Sequence, residues 1–206
     1  MRIVSAQELE NWLASGKVLE KDGRGPKVVA LPDGQFLKIF HTRRHPLLAR
    51  LRPAAPRFAR NIERLRQLGI AAPKITEQFW LDKACTLSAC LYEPLPGESI
   101  EQLYRQQPEK IDRLLPELAD FIRQLHRQGI YFRSLHLGNI ILLPQGGFGL
   151  IDALDMQFKR GALNNWQIKR NFNHLAHYLI RNRIEEFPAE ELQRLYREKS
   201  TRALPS

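Results

Sequence analysis

Three residues that lie far apart in the sequence carry the chemical groups that hold a nucleotide: Lys38, Asn139 and Asp152. The phosphates of a nucleotide, together with Mg²⁺, need an ammonium, an amide oxygen and a carboxylate that converge. The step from Asn139 to Asp152 is thirteen residues, which suits a short hairpin with both side chains at one edge. We therefore predict that Lys38 holds the phosphates of ATP and that Asn139 and Asp152 hold Mg²⁺.

The first part of the chain has the pattern of a β-rich region that would position Lys38. Ser5 and Glu8 have the spacing of a capping box and predict a helix over Ala6–Ser15. Short β-rich runs separated by turn residues predict strands at 18–20, 27–31 and 35–40. Apolar residues at helical spacing predict a helix over 56–69 that ends at a glycine, and two further strands follow at 71–80 and 85–92.

The second part of the chain begins after the strongest break in the sequence, Pro94-Leu-Pro-Gly97. We interpret this segment as the linker between two domains, residues 1–95 and 96–206. Beyond it the pattern predicts helices at 100–106, 111–128 and 163–184, and a last helix from 188. Between them, residues 139–151 predict a strand, a turn and a second strand that leads to Asp152.

The order of these elements resembles that of a protein kinase, and three motifs carry the resemblance. They are Phe36-Leu-Lys38-Ile, similar to the third-strand motif V-A-I-K; Arg133-Ser-Leu-His-Leu-Gly-Asn139, similar to the catalytic loop H-R-D-L-x-x-x-N; and Leu150-Ile-Asp152, which stands where D-F-G would stand. The fold class implied is α+β. It is a bilobal protein-kinase-like fold with a small β-rich N-terminal lobe and a shortened, mainly helical C-terminal lobe.

The kinase resemblance also implies further contacts to ATP. Tyr92 and Glu93 would form the hinge and offer backbone groups to the adenine. Gly23 and Gly25 would form the turn that covers the phosphates.

More narrowly, roughly residues 16 to 180 resemble the small bacterial lipopolysaccharide core kinases, especially the branch often labelled toluene tolerance proteins. The matching segments, besides the hinge, are Gln35-Phe-Leu-Lys38, Asn61 to Pro73, Ile130 to Asn139, and Leu150-Ile-Asp152. Membership would imply ATP, Mg²⁺ and phosphoryl transfer to a heptose or related core sugar, or a similar anionic glycolipid. Membership would also imply that the protein acts at the inner face of the inner membrane.

Two positions depart from the kinase pattern. The catalytic-loop Asp is replaced by Ser134, which cannot accept a proton at neutral pH, and loss of such a base removes roughly 10²–10⁴-fold of rate. His136, two residues on, is the alternative acceptor. The glutamate expected to pair with Lys38 is represented by Glu63, whereas the position that matches the family spacing is Phe58.

Composition narrows the partners and the compartment. The 206 residues include 32 Lys and Arg against 22 Asp and Glu, a formal net charge of +10, which favours anionic partners. Two cysteines, Cys85 and Cys90, and the lack of a secretory signal indicate a reducing compartment. We predict a cytoplasmic protein, with peripheral contact to the inner face of the membrane as an alternative.

The segment from His41 to Arg66 contains eight arginines and a single acid, Glu63. It is either a solvated basic face or a surface for anionic lipid headgroups or glycolipid phosphates. Nucleic acid is not expected, because Phe58 alone supplies an aromatic ring among these arginines. His41 and His45 lack a third ligand nearby in sequence, so no transition-metal site is expected there.

Two readings of function therefore compete. In the first, the protein is an ATP-dependent sugar kinase, slow because of Ser134. In the second, it is a pseudokinase that serves as a nucleotide-binding or membrane-associated scaffold. A basic nucleic-acid-binding module is a third and weaker reading, which would show a steep salt dependence without a nucleotide requirement.

Overall fold

The computed structural model describes residues 1–41, 53–84, 86–133, 135–184 and 186–201, with side chains described as far as residue 198. The chain divides into two compact units, Met1–Leu95 and Pro96–Ser206. None of the helices in these ranges combines the length and the apolar character needed to cross a membrane.

The first unit contains a six-stranded sheet and two helices in its described residues. The strands are β1 (Arg2–Ile3), β2 (Lys17–Asp22), β3 (Gly25–Ala30), β4 (Phe36–Phe40), β5 (Lys74–Asp82) and β6 (Leu87–Glu93), and the helices are α1 (Ala6–Ser15) and α2 (Ala54–Gln67). The strand order is β1-β5-β6-β4-β3-β2. β1 is parallel to β5, and the other neighbours are antiparallel.

Alternation along β4 separates two faces of this sheet. Leu37 and Ile39 are buried in a core with Val29, Phe79 and Leu91, against which apolar side chains of α1 pack. Because side chains alternate along a strand, the residues between them point to the opposite face. There the ring of Phe40 lies 5.3 Å from that of Phe58 in α2, so α1 and α2 cover opposite faces.

Helix α2 is attached to the sheet at its start and stopped by a glycine at its end. The buried hydroxyl of Ser88 in β6 accepts a hydrogen bond of 3.2 Å from the backbone N–H of Ala55. The helix begins two residues earlier than predicted, because Pro56 is tolerated in a first helical turn. Gly69, with φ +74°, follows the C-cap Leu68 and ends the helix as predicted.

The second unit is mainly helical. Its helices are α3 (Ile100–Gln106), α4 (Ile111–Arg127), α5 (Asn165–Arg181) and α6 (Ala189–Thr201), with 3₁₀ turns at Pro108–Lys110 and Leu137–Asn139; its strands are β7 (Glu98–Ser99), β8 (Ile130–Tyr131), β9 (Ile140–Leu142), β10 (Phe148–Leu150) and β11 (Gln157–Phe158). β9 lies between β10 and β7, and β8 pairs with β11. Two-residue strands are too short to leave a period-2 pattern, so β1, β7, β8 and β11 were not predicted.

A buried arginine joins α4 to α6. Arg123 is only 5% exposed, and its guanidinium donates to the carbonyl oxygens of Leu195 and Tyr196 and pairs with Asp120. A buried guanidinium must have its donors satisfied, because an unpaired buried charge is costly. Arg123 thereby fixes the last helix against α4.

Candidate functional site

Lys38 lies in the middle of β4, opposite Val28 of β3 and Cys90 of β6. Its Nζ atom is 5.3 Å from the centroid of the Phe58 ring. Phe58 is fully buried, so the face of a fixed aromatic ring lies against the ammonium. This cation–π contact fixes the position of the lysine side chain.

Glu63 lies elsewhere on α2. Five residues separate it from Phe58, which corresponds to about 140° around a helix. It is exposed, accepts a hydrogen bond of 3.2 Å from Gln67 Nε2, and lines an open groove of about 880 Å³ together with Arg60, Arg66 and Lys74. The structure therefore does not bring Glu63 to Lys38. The α2 residue at the lysine is Phe58.

The predicted phosphate-covering turn is the tip of the β2–β3 hairpin. Asp22 pairs with Gly25 in the ladder, and Asp22 Oδ1 accepts a hydrogen bond of 2.8 Å from the backbone N–H of Arg24. This hydrogen bond, more than the nearby charge of Lys27, lowers the pKa of Asp22. The space where a Cβ of Gly23 or Gly25 would stand is open, so a ligand can approach the backbone there.

Tyr92 and Glu93, the two predicted hinge residues, lie at the end of β6. The Tyr92 side chain is buried in aromatic contacts, with ring centroids 5.7 Å from Phe36 and 6.4 Å from Phe58. Glu93 is exposed and forms an ion pair of 2.8 Å with Lys74. Both side chains therefore have partners within the protein.

In the second unit, one hairpin carries both predicted Mg²⁺ ligands. Asn139 immediately precedes β9, and Asp152 comes two residues after β10. Ile140 pairs with Leu150, and the carbonyl oxygen of Asn139 accepts a hydrogen bond of 3.2 Å from the backbone N–H of Ile151. The antiparallel register therefore places Asn139 and Asp152 at the same end of the hairpin.

His136 orients the amide of Asn139. Its Nε2 atom lies 3.0 Å from Asn139 Nδ2, a contact in which the amide donates and the imidazole accepts. That arrangement places the imidazole proton on Nδ1, which is buried and has no hydrogen-bond partner among the described residues. Since Nδ2 faces His136, the amide oxygen Oδ1 of Asn139 is turned away from it, as a metal ligand requires.

A stacked tyrosine holds the His136 ring. The ring of Tyr178 in α5 is nearly parallel to that of His136, with centroids 4.2 Å apart. The Tyr178 hydroxyl donates to Glu101, which also pairs with Arg105 at 2.8 Å. A Cβ on Gly138 would lie 3.0 Å from Glu101 Oε2 and 3.1 Å from the Tyr178 hydroxyl. Glycine is therefore the residue that lets the loop approach this pair.

Burial dominates the electrostatics of this group. It lowers the pKa of His136, an effect that the nearby carboxylates of Asp152 and Glu101 partly oppose. Burial and the hydrogen bond to Glu101 raise the pKa of Tyr178. At neutral pH both rings are therefore uncharged.

A second polar network fixes the start of the same loop. Asn171 in α5 donates a hydrogen bond of 2.9 Å from Nδ2 to the carbonyl oxygen of Phe132. Its Oδ1 therefore accepts from His126 Nε2, 3.1 Å away, and His126 Nδ1 accepts from the Tyr196 hydroxyl at 2.9 Å. His126 is 3% exposed, and burial lowers its pKa to about 4. When His126 is neutral, every polar side-chain atom in this network has a hydrogen-bond partner.

The sequence prediction missed these supporting residues: Glu101, His126, Asn171, Tyr178 and Tyr196. Their partners lie 39 to 77 positions away in the chain, so no local spacing reveals them. Other predicted positions, namely Ser134, Cys85, His45 and the arginines from 43 to 52, lie outside the described residues. His41 is described, and its Nε2 atom is 3.3 Å from the carbonyl oxygen of Pro26.

The second unit offers an oxygen donor set suited to Mg²⁺. Mg²⁺ is usually held by one or two carboxylates together with substrate phosphates and water, and Asp152 and Asn139 supply a carboxylate and an amide oxygen. Among the described residues there is no group of three or more His, Cys, Asp or Glu that could form an all-protein metal cage. The residues present fit a cation that is shared with a phosphate ligand.

Residues 22–133 match the model of the phosphotransferase enzyme family known as APH. The match covers more than half of the chain, which therefore belongs to this family. It includes Lys38 and the hinge and ends one residue before Ser134. The predicted kinase-like α+β class is confirmed, and phosphoryl transfer is supported as the general type of activity. No curated protein matches the chain.

Proposed function

We propose that the protein binds Mg·ATP and transfers its terminal phosphoryl group to an anionic acceptor. The observation that carries this proposal is the hairpin of the second unit, where Asn139 and Asp152 lie at one end and His136 orients the amide. Membership of a phosphotransferase family supports the same conclusion. On this proposal residues 1–95 form the N-terminal lobe and residues 96–206 the C-terminal lobe of a kinase.

Each predicted residue has a distinct role in this proposal. The Lys38 ammonium holds the α- and β-phosphates, and the turn at Gly23 and Gly25 covers them with backbone N–H groups. The backbone at Tyr92 and Glu93 binds the adenine. Asn139 Oδ1 and the Asp152 carboxylate hold Mg²⁺, which when bound neutralises charge on the phosphate oxygens.

We infer that the acceptor is a lipopolysaccharide core sugar or a similar anionic glycolipid. The support is the sequence resemblance to the core kinases together with the net charge of +10. The arginines between positions 43 and 66 are the proposed contacts to the acceptor or to the membrane that holds it. Such an acceptor places the protein on the cytoplasmic face of the inner membrane.

The proposed transfer is slow, because Ser134 stands where a base is expected. Phosphoryl transfer depends mostly on positioning and electrostatics, so loss of the base lowers the rate without removing the reaction. His136 is the alternative base. Its Nε2 atom is engaged by Asn139 and its ring is stacked on Tyr178, which favours a role in positioning Asn139.

A pseudokinase is the second candidate function, and a specific contact favours it. The ring of Phe58, at the position where the kinase pattern has a glutamate, lies against the Lys38 ammonium. Together with Ser134, this leaves two positions of the kinase pattern without their charged groups. In that case the protein is a scaffold that retains the fold and, with or without nucleotide, docks on a membrane or an envelope enzyme.

Thermal unfolding with and without Mg·ATP tests nucleotide binding. A ligand at 100 times its Kd that binds only the folded state stabilises it by about 2.7 kcal/mol. We expect stabilisation of the native chain that is lost in Lys38→Ala and Asp152→Ala and kept in the exposed controls Lys17→Ala and Asp112→Ala. A native chain that Mg·ATP does not stabilise would rule out the nucleotide site.

Ser134→Asp separates the enzyme from the scaffold. Under the slow-kinase proposal the substitution restores the base, and ATP turnover rises by roughly 10²-fold or more. Turnover is measured as ADP release with and without a lipopolysaccharide core extract. An unchanged, measurable rate would mean that another group, such as His136, accepts the proton. Absence of turnover in both proteins would favour the pseudokinase.

A further inference from the structure

Helix α5 has one face in the core and an opposite face with an unusual composition. Its buried residues are Asn171, Phe172, Leu175, Tyr178 and Leu179. At 100° per residue, the opposite, exposed face includes Trp166, Arg170, Asn173, His177, Ile180 and Arg181, which we call the basic stripe. The basic stripe runs the full length of the helix, about 25 Å.

The basic stripe combines positive charge with exposed apolar groups. Trp166 is 63% exposed and Ile180 is 66% exposed, and they lie at the two ends of the helix. The guanidinium of Arg170 lies 5.2 Å from the centroid of the Trp166 ring. The exposed face of α5 therefore presents both apolar and cationic groups.

No acidic residue within the segment that carries α5 offsets the charge of the basic stripe. The sequence contains no Asp or Glu between Asp155 and Glu185, whereas it contains Lys159, Arg160, Lys169, Arg170, Arg181 and Arg183. His174 lies beside the stripe, and its Nε2 atom is buried without a hydrogen-bond partner among the described residues. Burial, and then the charges of Arg170, Arg133 and His177, lower the pKa of His174. The local field is therefore positive.

The spacing of the cations selects the kind of partner. Arg170 and Arg181 are eleven residues apart, about 16 Å along the helix, so they cannot converge on one small anion. A single indole is not the row of aromatic rings on which a nucleic-acid strand stacks. Arginines spread between an exposed indole and an exposed isoleucine suit the headgroup region of a bilayer with anionic lipids.

We propose that the basic stripe of α5 is a docking surface for an anionic lipid bilayer. Binding to the bilayer requires neither nucleotide nor phosphoryl transfer. The link to the acceptor rests on the proposed function: through Asn171, the buried face of the same helix anchors Phe132 at the start of the catalytic-loop segment. A protein docked on this stripe holds that segment close to a membrane-borne glycolipid.

Vesicle co-sedimentation tests the docking surface. The full chain is mixed with vesicles of phosphatidylcholine alone or of phosphatidylcholine with phosphatidylglycerol. We expect binding only to the anionic vesicles. Each unit of charge near the membrane surface changes the partition coefficient onto the vesicles about fivefold. Arg170→Glu changes the charge by two units, so it weakens binding roughly 25-fold. The matched control is Arg113→Glu, the same charge change at an exposed position of α4, which we expect to bind like the native chain apart from the small effect of net charge.

Tryptophan fluorescence locates the contact. Trp166 is 63% exposed, whereas Trp80 is 8% exposed and Trp12 packs against the core of the first unit, so a blue shift on adding anionic vesicles reports Trp166. We expect Trp166→Phe to lose the shift while it still sediments with the vesicles. Equal binding by Arg170→Glu and Arg113→Glu, or the absence of a Trp166 shift, would overturn the proposal. Full competition by inorganic phosphate would indicate a small-anion site instead, and full competition by RNA a nucleic-acid surface; either result would also overturn it.

The same samples keep this proposal distinct from the proposed function. Stabilisation by Mg·ATP is measured for native chain, Arg170→Glu and Arg113→Glu. If the native chain does not bind the anionic vesicles but is still stabilised by Mg·ATP, the docking surface alone is excluded. If the native chain binds the vesicles but is not stabilised by Mg·ATP, the nucleotide site alone is excluded. Equal melting temperatures without ligand show that the variants are folded.

Discussion

The two units hold their candidate residues in different ways. In the first unit, Lys38 lies against the ring of Phe58, which also contacts Phe40 and Tyr92. In the second unit, Asn139 is held by His136, and the loop before it is held through Asn171 and His126 by hydrogen bonds. Packing positions the lysine, and a buried polar network positions Asn139 and the loop before it.

This difference has a physical consequence. The stability of a packed aromatic cluster depends mainly on the volume that its side chains fill and less on their exact orientation. A hydrogen-bonded network is directional, and it fails when one member is removed or changes its protonation state. The first unit should therefore respond mainly to changes in side-chain volume, and the second to pH and to the loss of single polar groups.

The largest expected effect is that of Phe58→Ala. Removal of a buried phenylalanine leaves a cavity and costs about 3–5 kcal/mol. Urea unfolding, followed by the fluorescence of Trp12 and Trp80, measures the change. Phe58→Leu keeps most of the volume and should cost much less. A loss below about 1 kcal/mol in Phe58→Ala would show that the aromatic cluster does not organise the first unit.

The next effect is the response of the second unit to acid. Burial lowers the pKa of His126 to about 4, while the unfolded chain has an ordinary histidine pKa near 6.5. The unfolded state therefore binds more protons between these values, and stability falls as the pH is lowered from 6.5 towards 4. The contribution of His126 is about 3 kcal/mol when the whole range is crossed.

Urea unfolding at pH 7 and pH 5, compared with His126→Gln, isolates this contribution. Other histidines and the carboxylates are common to both proteins, so their effects cancel in the difference. The native chain should lose more stability between the two pH values than the variant. Equal losses would mean that His126 is not buried as a neutral group.

A smaller effect is expected from Asn171→Leu. The substitution leaves the Phe132 carbonyl and the His126 Nε2–H without partners, at a cost of about 2 kcal/mol. Amide hydrogen exchange should become faster over residues 130–139, which a loss of packing elsewhere would not cause. Asn173→Leu, on the exposed side of α5, is the control. Unchanged exchange in Asn171→Leu would show that the network does not hold the loop.

The smallest effect on stability is expected from Lys38→Gln. Loss of the cation–π contact costs about 0.5–1 kcal/mol, yet stabilisation by Mg·ATP should disappear. Both quantities come from the same thermal unfolding experiment. A variant that retains full Mg·ATP stabilisation would exclude Lys38 from the nucleotide site and would leave only a structural role for the contact with Phe58.

Much of the fold could be predicted from local sequence. The capping serine of α1, the Gly69 stop after α2, and the hairpin between Asn139 and Asp152 are encoded within a few residues. The boundaries of two elements differ from the prediction, in α5 because Asn164 and Gln167 form a capping box that starts the helix at Asn165. β5 begins at Lys74 rather than at residue 71, and α5 spans Asn165–Arg181 rather than 163–184. The capping box at Ser5 is only half formed, because the Glu8 carboxylate pairs with Arg2 instead.

The candidate site residues show the same division between local sequence information and tertiary contacts. The sequence by itself determined which residues carry the ammonium, the amide and the carboxylate, because residue type and short-range spacing are local properties. The tertiary structure alone decided that Phe58 rather than Glu63 lies at Lys38, that His136 orients Asn139, and that Asn171 and His126 fix the loop. Apart from His136 and Asn139, which are close in the chain, these contacts join residues 20 to 45 positions apart, and periodicity along a chain contains no information about which distant faces will meet.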